Sequence, residues 1–410
     1  MVVSDSDKKA NVILKSSEEF LEWFFKETPS LKEISFLGES KDVKKMETMC
    51  EFLKYYFTVK ENCEKKMNEY NKLFVLDDNK FLKEALELFA SSNKGGKYLR
   101  ATLASLGYNC FKDDDKYIPL ATSLEIFQTS ILIHDDIIDM ATLRRGMDTI
   151  PIKYEKIYES PIKNSDNFLD KKKQMSSSMA LCLGDIGFYF ANQIIIKNYF
   201  DNLNLSRVLD YYNDMAIKTC KGEMIDVVLP FYEEFYGVED DLEGHITEIY
   251  KLKTAWYSVI SPFVLGALLG GASDEEVHKF EDALINLGVS FQIKDDLLNI
   301  FGSEKEMGKA SFSDVKEFKQ TLLYSYTLNT KYKDDLLKLY GKDNLSEKEF
   351  NKIRDIFEKS GAKEYCLTKM DKLFKESFEE ILDLKIPSNN KKLLLGFAEF
   401  LRVLKKWKKY

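Results

Sequence analysis

Proline and glycine are scarce, seven and 19 among 410 residues. So few turn formers argue against a β-sandwich or another turn-rich fold and for long helices. Histidine is rarer still: three in the chain leave little room for a His-rich metal centre or a histidine-led catalytic set. The six cysteines, Cys50, Cys63, Cys110, Cys182, Cys220 and Cys366, stand apart with no CxxC pair. Structural zinc is therefore not expected, and the scatter suits a reducing, cytoplasmic setting. Basic charge is not in excess: 60 Lys+Arg against 68 Asp+Glu give −8, which argues against a nucleic-acid partner. The opening MVVSDSDKKANVI lacks the apolar core of a signal peptide. The longest apolar run, residues 259–272, is interrupted by Ser261 and Pro262. It is too short for a bilayer and reads as a buried helix, so no transmembrane segment is expected.

What is present has the period of helices. Hydrophobic residues at 44% and charged ones at 31% are those of a globular chain. Helical patterning is expected over 17–26, 47–60, 64–92, 117–140, 178–199, 206–227, 243–270, 275–300, 313–328, 346–359, 367–381 and 391–407. No convincing period-2 strand is found. The expected fold is all-α, a single large helical bundle around a central cavity. Residues 1–45 are expected as a helical N-terminal extension, and 46–410 as the main domain. Residues 154–176 are polar and are expected as a long surface loop of the kind that serves as a lid. The basic end, LKKWKKY, reads as a complement to a helix dipole.

Two acidic clusters end apolar helical stretches. In ILIHDDIIDM, Asp135 and Asp139 are four residues apart and share a helix face. Like charges at that spacing repel unless a cation compensates them. Carboxylates without imidazole or thiolate partners suit Mg2+ better than zinc. The second cluster is Asp295 and Asp296 in FQIKDDLLNIFG, with Asn299 at the next helical position. Each cluster alone also reads as a solvated helix end. Together they suggest two facing carboxylate groups around Mg2+, which usually bridges to substrate phosphate. Short basic groups accompany them: Lys94 with GGKYLR (Lys97, Arg100), Arg144-Arg145-Gly146, Lys253-Thr254, and Lys309 followed by Asp314 and Lys319. Singly, each reads as surface charge. The first would set two glycines and a helix start where an anion can approach.

The order GGKxxR, DDxxD, RRG, GD, G[QE]xxD, KT, FQxxDD, GK…D…K resembles the trans-isoprenyl diphosphate synthase family, the synthases of farnesyl, geranylgeranyl and longer polyprenyl diphosphates. The match runs over about residues 65–330, with a weaker tail to about 405. The resemblance implies a Mg2+-dependent prenyltransferase that condenses isopentenyl diphosphate with an allylic diphosphate, on an all-α bundle that is usually a homodimer. It implies three Mg2+ ions, held by Asp135 and Asp139 and by Asp295 with Asp296 in support. Arg144, Lys253 and Lys309 would hold the allylic diphosphate. Lys97, Arg100, Gln128 and Arg145 would hold isopentenyl diphosphate, with Thr254 and Gln292 near the reacting carbons. Catalytic groups are then Lys253, Thr254 and Gln292.

The resemblance also places product-length positions at Ser130 and Ile131. Ser130 is small, and Phe127 lies one helical turn deeper as a candidate floor, so products of about C20 or longer are expected. Three positions depart from the family pattern: Asn299 where the last Asp is usual, Glu223 where Gln is common, and Asp148 where Pro is common. Asn299 predicts a weakened third metal site. Alternatives on the same fold are a class I terpene cyclase, a peptide prenyltransferase and a non-catalytic subunit of a heteromeric synthase.

Overall fold

The computed structural model of the protein describes residues 43–144, 146–157, 166–237, 241–302, 313–342 and 344–403. Residues 1–42, which hold most of the expected extension and its helix at 17–26, lie outside them, as does the basic end. The helices are α1 (Val43–Phe74), α2 (Lys80–Ser92), α3 (Leu99–Asn109), α4 (Ile118–Ile138), α5 (Ile150–Ile157), α6 (Asp166–Tyr199), α7 (Leu205–Val228) and α8 (Tyr232–Tyr236). A rod follows, made of α9 (Leu242–Ile249), a π-helical segment (Tyr250–Ile260) and α10 (Ser261–Gly270). The remainder are α11 (Asp274–Phe301), α12 (Ser313–Lys316), α13 (Leu322–Leu328), α14 (Lys333–Leu337), α15 (Glu347–Lys359), α16 (Ala362–Asp383) and α17 (Ser388–Val403). The one sheet among the described residues is a two-residue antiparallel hairpin, β1 (Leu143–Arg144) and β2 (Met147–Asp148).

The all-α expectation holds, and one hydrophobic core joins α1 to α17. α4 packs along α6, α3 along α10, and α11 along the π segment and α16. Local sequence sets the ends. Ser273 and Glu276 form a capping box that starts α11, and Ser346 and Glu349 another that starts α15. α4 starts with Pro119 in its first turn, where a missing N–H costs nothing.

The expected loop 154–176 is corrected. Residues 150–157 are helical, and α6 begins at Asp166. The polar stretch lacks an apolar face, which predicts a loop, yet Lys171 and Lys173 are exposed on a helix. Residues 158–165, the middle of the expected loop, lie outside the described residues. Two helical stretches, Lys171–Tyr199 and Leu242–Gly270, are long and apolar enough to cross a membrane by length and composition. The second is 72% buried over its most apolar window, as a core helix is; the first is 39% buried.

Candidate active site

α4 is buried on nearly every side until its last turn, where three carboxylates emerge. Asp136 is buried, and Asp135 and Asp139 are half-buried. The chain then reverses through the hairpin, with Gly146 at φ 73° in its turn. That reversal brings Arg144 back onto the helix end. Its guanidinium donates from Nε to Asp136 Oδ1 and from a terminal nitrogen to Asp135 Oδ2, both at 2.6 Å. Burial opposes the arginine's charge, but Asp135 and Asp136 outweigh it and hold its pKa above the ordinary value. Arg145 lies outside the described residues.

Lys253 enters from the π segment, which is squeezed between two glycines. A Cβ on Gly222 of α7 would fall 2.7 Å from the Lys253 backbone nitrogen. One on Gly288 of α11 would fall 2.4 Å from Ala255 Cα. Only hydrogen at those positions lets three helices meet so closely. Lys253 Nζ then lies 2.6 Å from Glu223, 2.6 Å from Asp226 and 3.9 Å from Asp135. Burial disfavours its charge, and Asp226 leads the carboxylates that overcome it and raise the lysine's pKa. Desolvation pushes the Glu223 carboxyl up, with Lys253 pulling it back.

Lys319 is the third cation. It lies 3.5 Å from Asp139 and 3.1 Å from Glu317. Its backbone N–H donates to the Asp314 carbonyl at 2.8 Å, and its carbonyl accepts from the Tyr340 hydroxyl at 2.7 Å. Phe318 before it is left-handed, φ 55°. For a bulky residue that conformation is costly and persists only where surroundings fix it. Tyr324 and Tyr340 pack on its ring. Burial raises the Asp139 carboxyl, with Lys319 opposing.

A chain of hydrogen bonds continues to the second acidic cluster. The Thr254 hydroxyl donates to Gln292 Oε1 at 2.6 Å, and Gln292 Nε2 donates to Asp296 Oδ1 at 2.8 Å. The Tyr250 hydroxyl donates to the other Asp296 oxygen. Desolvation drives the Asp296 carboxyl well above the usual range. Asp295 is half-buried next to it. The two acidic clusters are thus linked through Lys253 and Thr254, neighbouring residues of the π segment.

Of the groups expected to hold the second diphosphate, Arg100 is the most firmly set. It donates to Ser258 Oγ at 2.6 Å and lies 4.1 Å from the centre of the Tyr257 ring. Its Nε is buried without a hydrogen-bond partner, an open donor of the kind an anion fills. Lys97 is exposed just before α3, where Gly95 and Tyr98 both have positive φ. Gln128 accepts through Oε1 from the Tyr257 hydroxyl. Lys309 lies outside the described residues. Next to Arg144 and Asp136 opens a shallow cleft, also lined by Thr129, Leu132, Thr149 and Lys153.

Nearer the start of α4, Phe127 packs among rings, with centroids 4.8 Å from Phe188, 5.4 Å from Tyr212 and 5.8 Å from Tyr257. Ser130 is turned elsewhere: its hydroxyl lies where a Cβ on Gly187 would meet it at 2.2 Å, beside Phe89. Ile131 is half-buried against the core. Sequence reasoning gave no role to Asp226, Tyr250 or Tyr257. Asp226 was visible within the G[QE]xxD pattern; the two tyrosines carried no sequence signal.

The donor chemistry fits a hard divalent cation, since the clustered ligands are all carboxylate oxygens. Among the described residues no three His, Cys, Asp or Glu side chains are arranged to hold a metal ion. The carboxylates instead face Arg144, Lys253 and Lys319.

A family model described as polyprenyl synthetase matches residues 79–357. A geranylgeranyl diphosphate synthase of Sulfolobus acidocaldarius is 28% identical over 342 residues, covering 82% of this chain and 94% of that protein. A short chain isoprenyl diphosphate synthase of Methanothermobacter thermautotrophicus is 30% identical over 276 residues, 66% of this chain and 75% of that protein. Among solved structures, a geranylgeranyl pyrophosphate synthase from Corynebacterium glutamicum, complexed with isoprenyl diphosphate and magnesium, superposes with a TM-score of 0.74. It is 23% identical and covers 85% of this chain and 98% of that chain.

Proposed function

Because the chain belongs to the polyprenyl synthetase family, we propose that it condenses isopentenyl diphosphate with an allylic diphosphate, releasing pyrophosphate and a product of about C20 or longer. The observation that carries this reading is the convergence of Asp135, Glu223 and Asp226 on Lys253, whose neighbour Thr254 links through Gln292 to Asp296, with Arg144 and Lys319 paired to the first acidic cluster. Two diphosphates bring roughly −4 to −6 of charge, which no low-dielectric cleft accepts unpaired. Asp135, Asp139 and Asp295 are the residues that would hold Mg2+, and bound Mg2+ would neutralise the diphosphate and its departing charge.

The residues of the chain do the rest. Lys253, freed from Asp226 and Glu223, and Arg144, freed from Asp135, turn their donors to the allylic diphosphate. The allylic C–O bond breaks and its electron pair leaves with pyrophosphate. The Thr254 hydroxyl and the Gln292 amide, fixed by Asp296, present dipoles to the allylic cation. Lys97, Arg100 and Gln128 hold isopentenyl diphosphate so that its alkene attacks that carbon. One proton is then lost to the departing pyrophosphate, whose oxygens lie against the new allylic carbon. A cyclase needs only one diphosphate site; the retained Lys97, Arg100 and Gln128, with the open Nε of Arg100, favour a synthase.

The test is incubation with Mg2+, isopentenyl diphosphate and each allylic diphosphate in turn. Elongated diphosphates that vanish with EDTA are expected. Hydrocarbon or alcohol formed from the allylic substrate alone would replace this reading with the cyclase. We further propose a homodimer, supported by the face of α6 that exposes Ile186, Tyr189 and Ile196, with exposed Phe200 just past its end. Sedimentation should give twice the chain mass of 47.7 kDa, and a monomer at micromolar concentration would reject it.

A further inference from the structure

Asn299 stands where the family pattern carries aspartate, and it is buried at 4% exposure. Both ends of its amide are engaged with the segment that follows. Nδ2 donates to Ser313 Oγ at 2.8 Å and to Asp314 Oδ1 at 2.9 Å. Oδ1 accepts the Asp314 backbone N–H at 3.4 Å. Asp314 in turn receives the Lys319 N–H on its carbonyl, and Lys319 reaches Asp139. A strap from Ser313 to Lys319 therefore ties the second acidic helix to the first. A carboxylate at 299 would set two acceptors face to face with no proton between them, next to buried Asp296. Such an arrangement sets two like charges together and removes the Nδ2 donor that Ser313 and Asp314 now accept from.

We propose that Asn299 is a positioning residue: its amide seats Asp314, and through the strap it delivers Lys319 to Asp139 without any metal. The Asn299–Asp314 pair is then a latch that works in the metal-free protein. The kinetic part rests on the prenyl-transfer reading; the structural part does not.

The experiment compares full-length wild type with Asn299→Asp, Asp314→Asn and the double exchange Asn299→Asp/Asp314→Asn, which restores a donor facing an acceptor. Two quantities are read: the thermal midpoint in EDTA, and KM and kcat for the allylic diphosphate. Asn299→Asp should lower the midpoint by several degrees and raise KM by about 10–100-fold, the loss of a charge-assisted hydrogen bond. The double exchange should recover most of both. In a Lys319→Met background, Asn299→Asp should add little further to KM, because the residue acts through that lysine. An unchanged midpoint and KM in Asn299→Asp would overturn the latch, as would a KM penalty undiminished by Lys319→Met. Failure of the exchange to rescue would do the same. If wild type makes no elongated product, the prenyl-transfer reading fails and the EDTA midpoints alone decide the latch.

Discussion

Asparagine in place of Asp139 is expected to lower kcat/KM for elongation by about 10²–10³-fold, the scale of losing one group that stabilises developing charge. The side chain keeps its size but loses the charge that answers Lys319 and that a divalent cation would require. Steady-state rates across a Mg2+ titration check this, and a variant with wild-type rate and metal midpoint would remove Asp139 from the site. The pH profile carries a second signature. Burial has raised this carboxyl in the metal-free protein, so a cation must displace a proton there, and the Mg2+ needed for half-maximal rate should rise as pH falls. The ionised form is the one that would bind the cation, so saturating Mg2+ should restore much of the rate lost at lower pH. Stability of the metal-free protein runs the other way. A carboxyl whose pKa is higher folded than unfolded favours folding at low pH, and that contribution is lost as pH rises through the folded pKa.

Alanine at Phe127 is expected to lengthen the product by one or more five-carbon units. Phe188, Tyr212 and Tyr257 close around the Phe127 ring, so its removal opens space where a growing apolar tail would end. The same change should cost about 3–5 kcal/mol of stability, as for other buried phenylalanines. Mass spectrometry of dephosphorylated products reads the first effect and urea denaturation the second. An unchanged product with the full stability loss would mark Phe127 as core alone.

How much of this could be read in advance follows from distance along the chain. Asp135 and Asp139 share a face because four residues make one helical turn, which any sequence displays. Arg144 meets the same helix end because the hairpin reverses within a few residues. The partners of Lys253 and Lys319 were out of reach. Asp226 and Asp139 lie far from those lysines in sequence, and only helix packing brings them near. Asn299 was read as a weakened metal ligand, since the residue that occupies its amide, Asp314, is set by the path of a loop. Polarity misled over 154–176 because it reports solvent contact and not backbone conformation. The widened helix at Tyr250–Ile260 was invisible because period counting assumes an α-helical turn.

That widened turn has a consequence for motion. From Trp256 to Ser261 the backbone bond spans five residues rather than four, a looser closure than in the flanking α9 and α10. The amides around Lys253 and Thr254 are therefore the weakest links of a rod that is otherwise locked into the core. Hydrogen exchange would begin in the middle of this rod rather than at its ends, so the backbone that bears the reacting groups can breathe while its supports stay still.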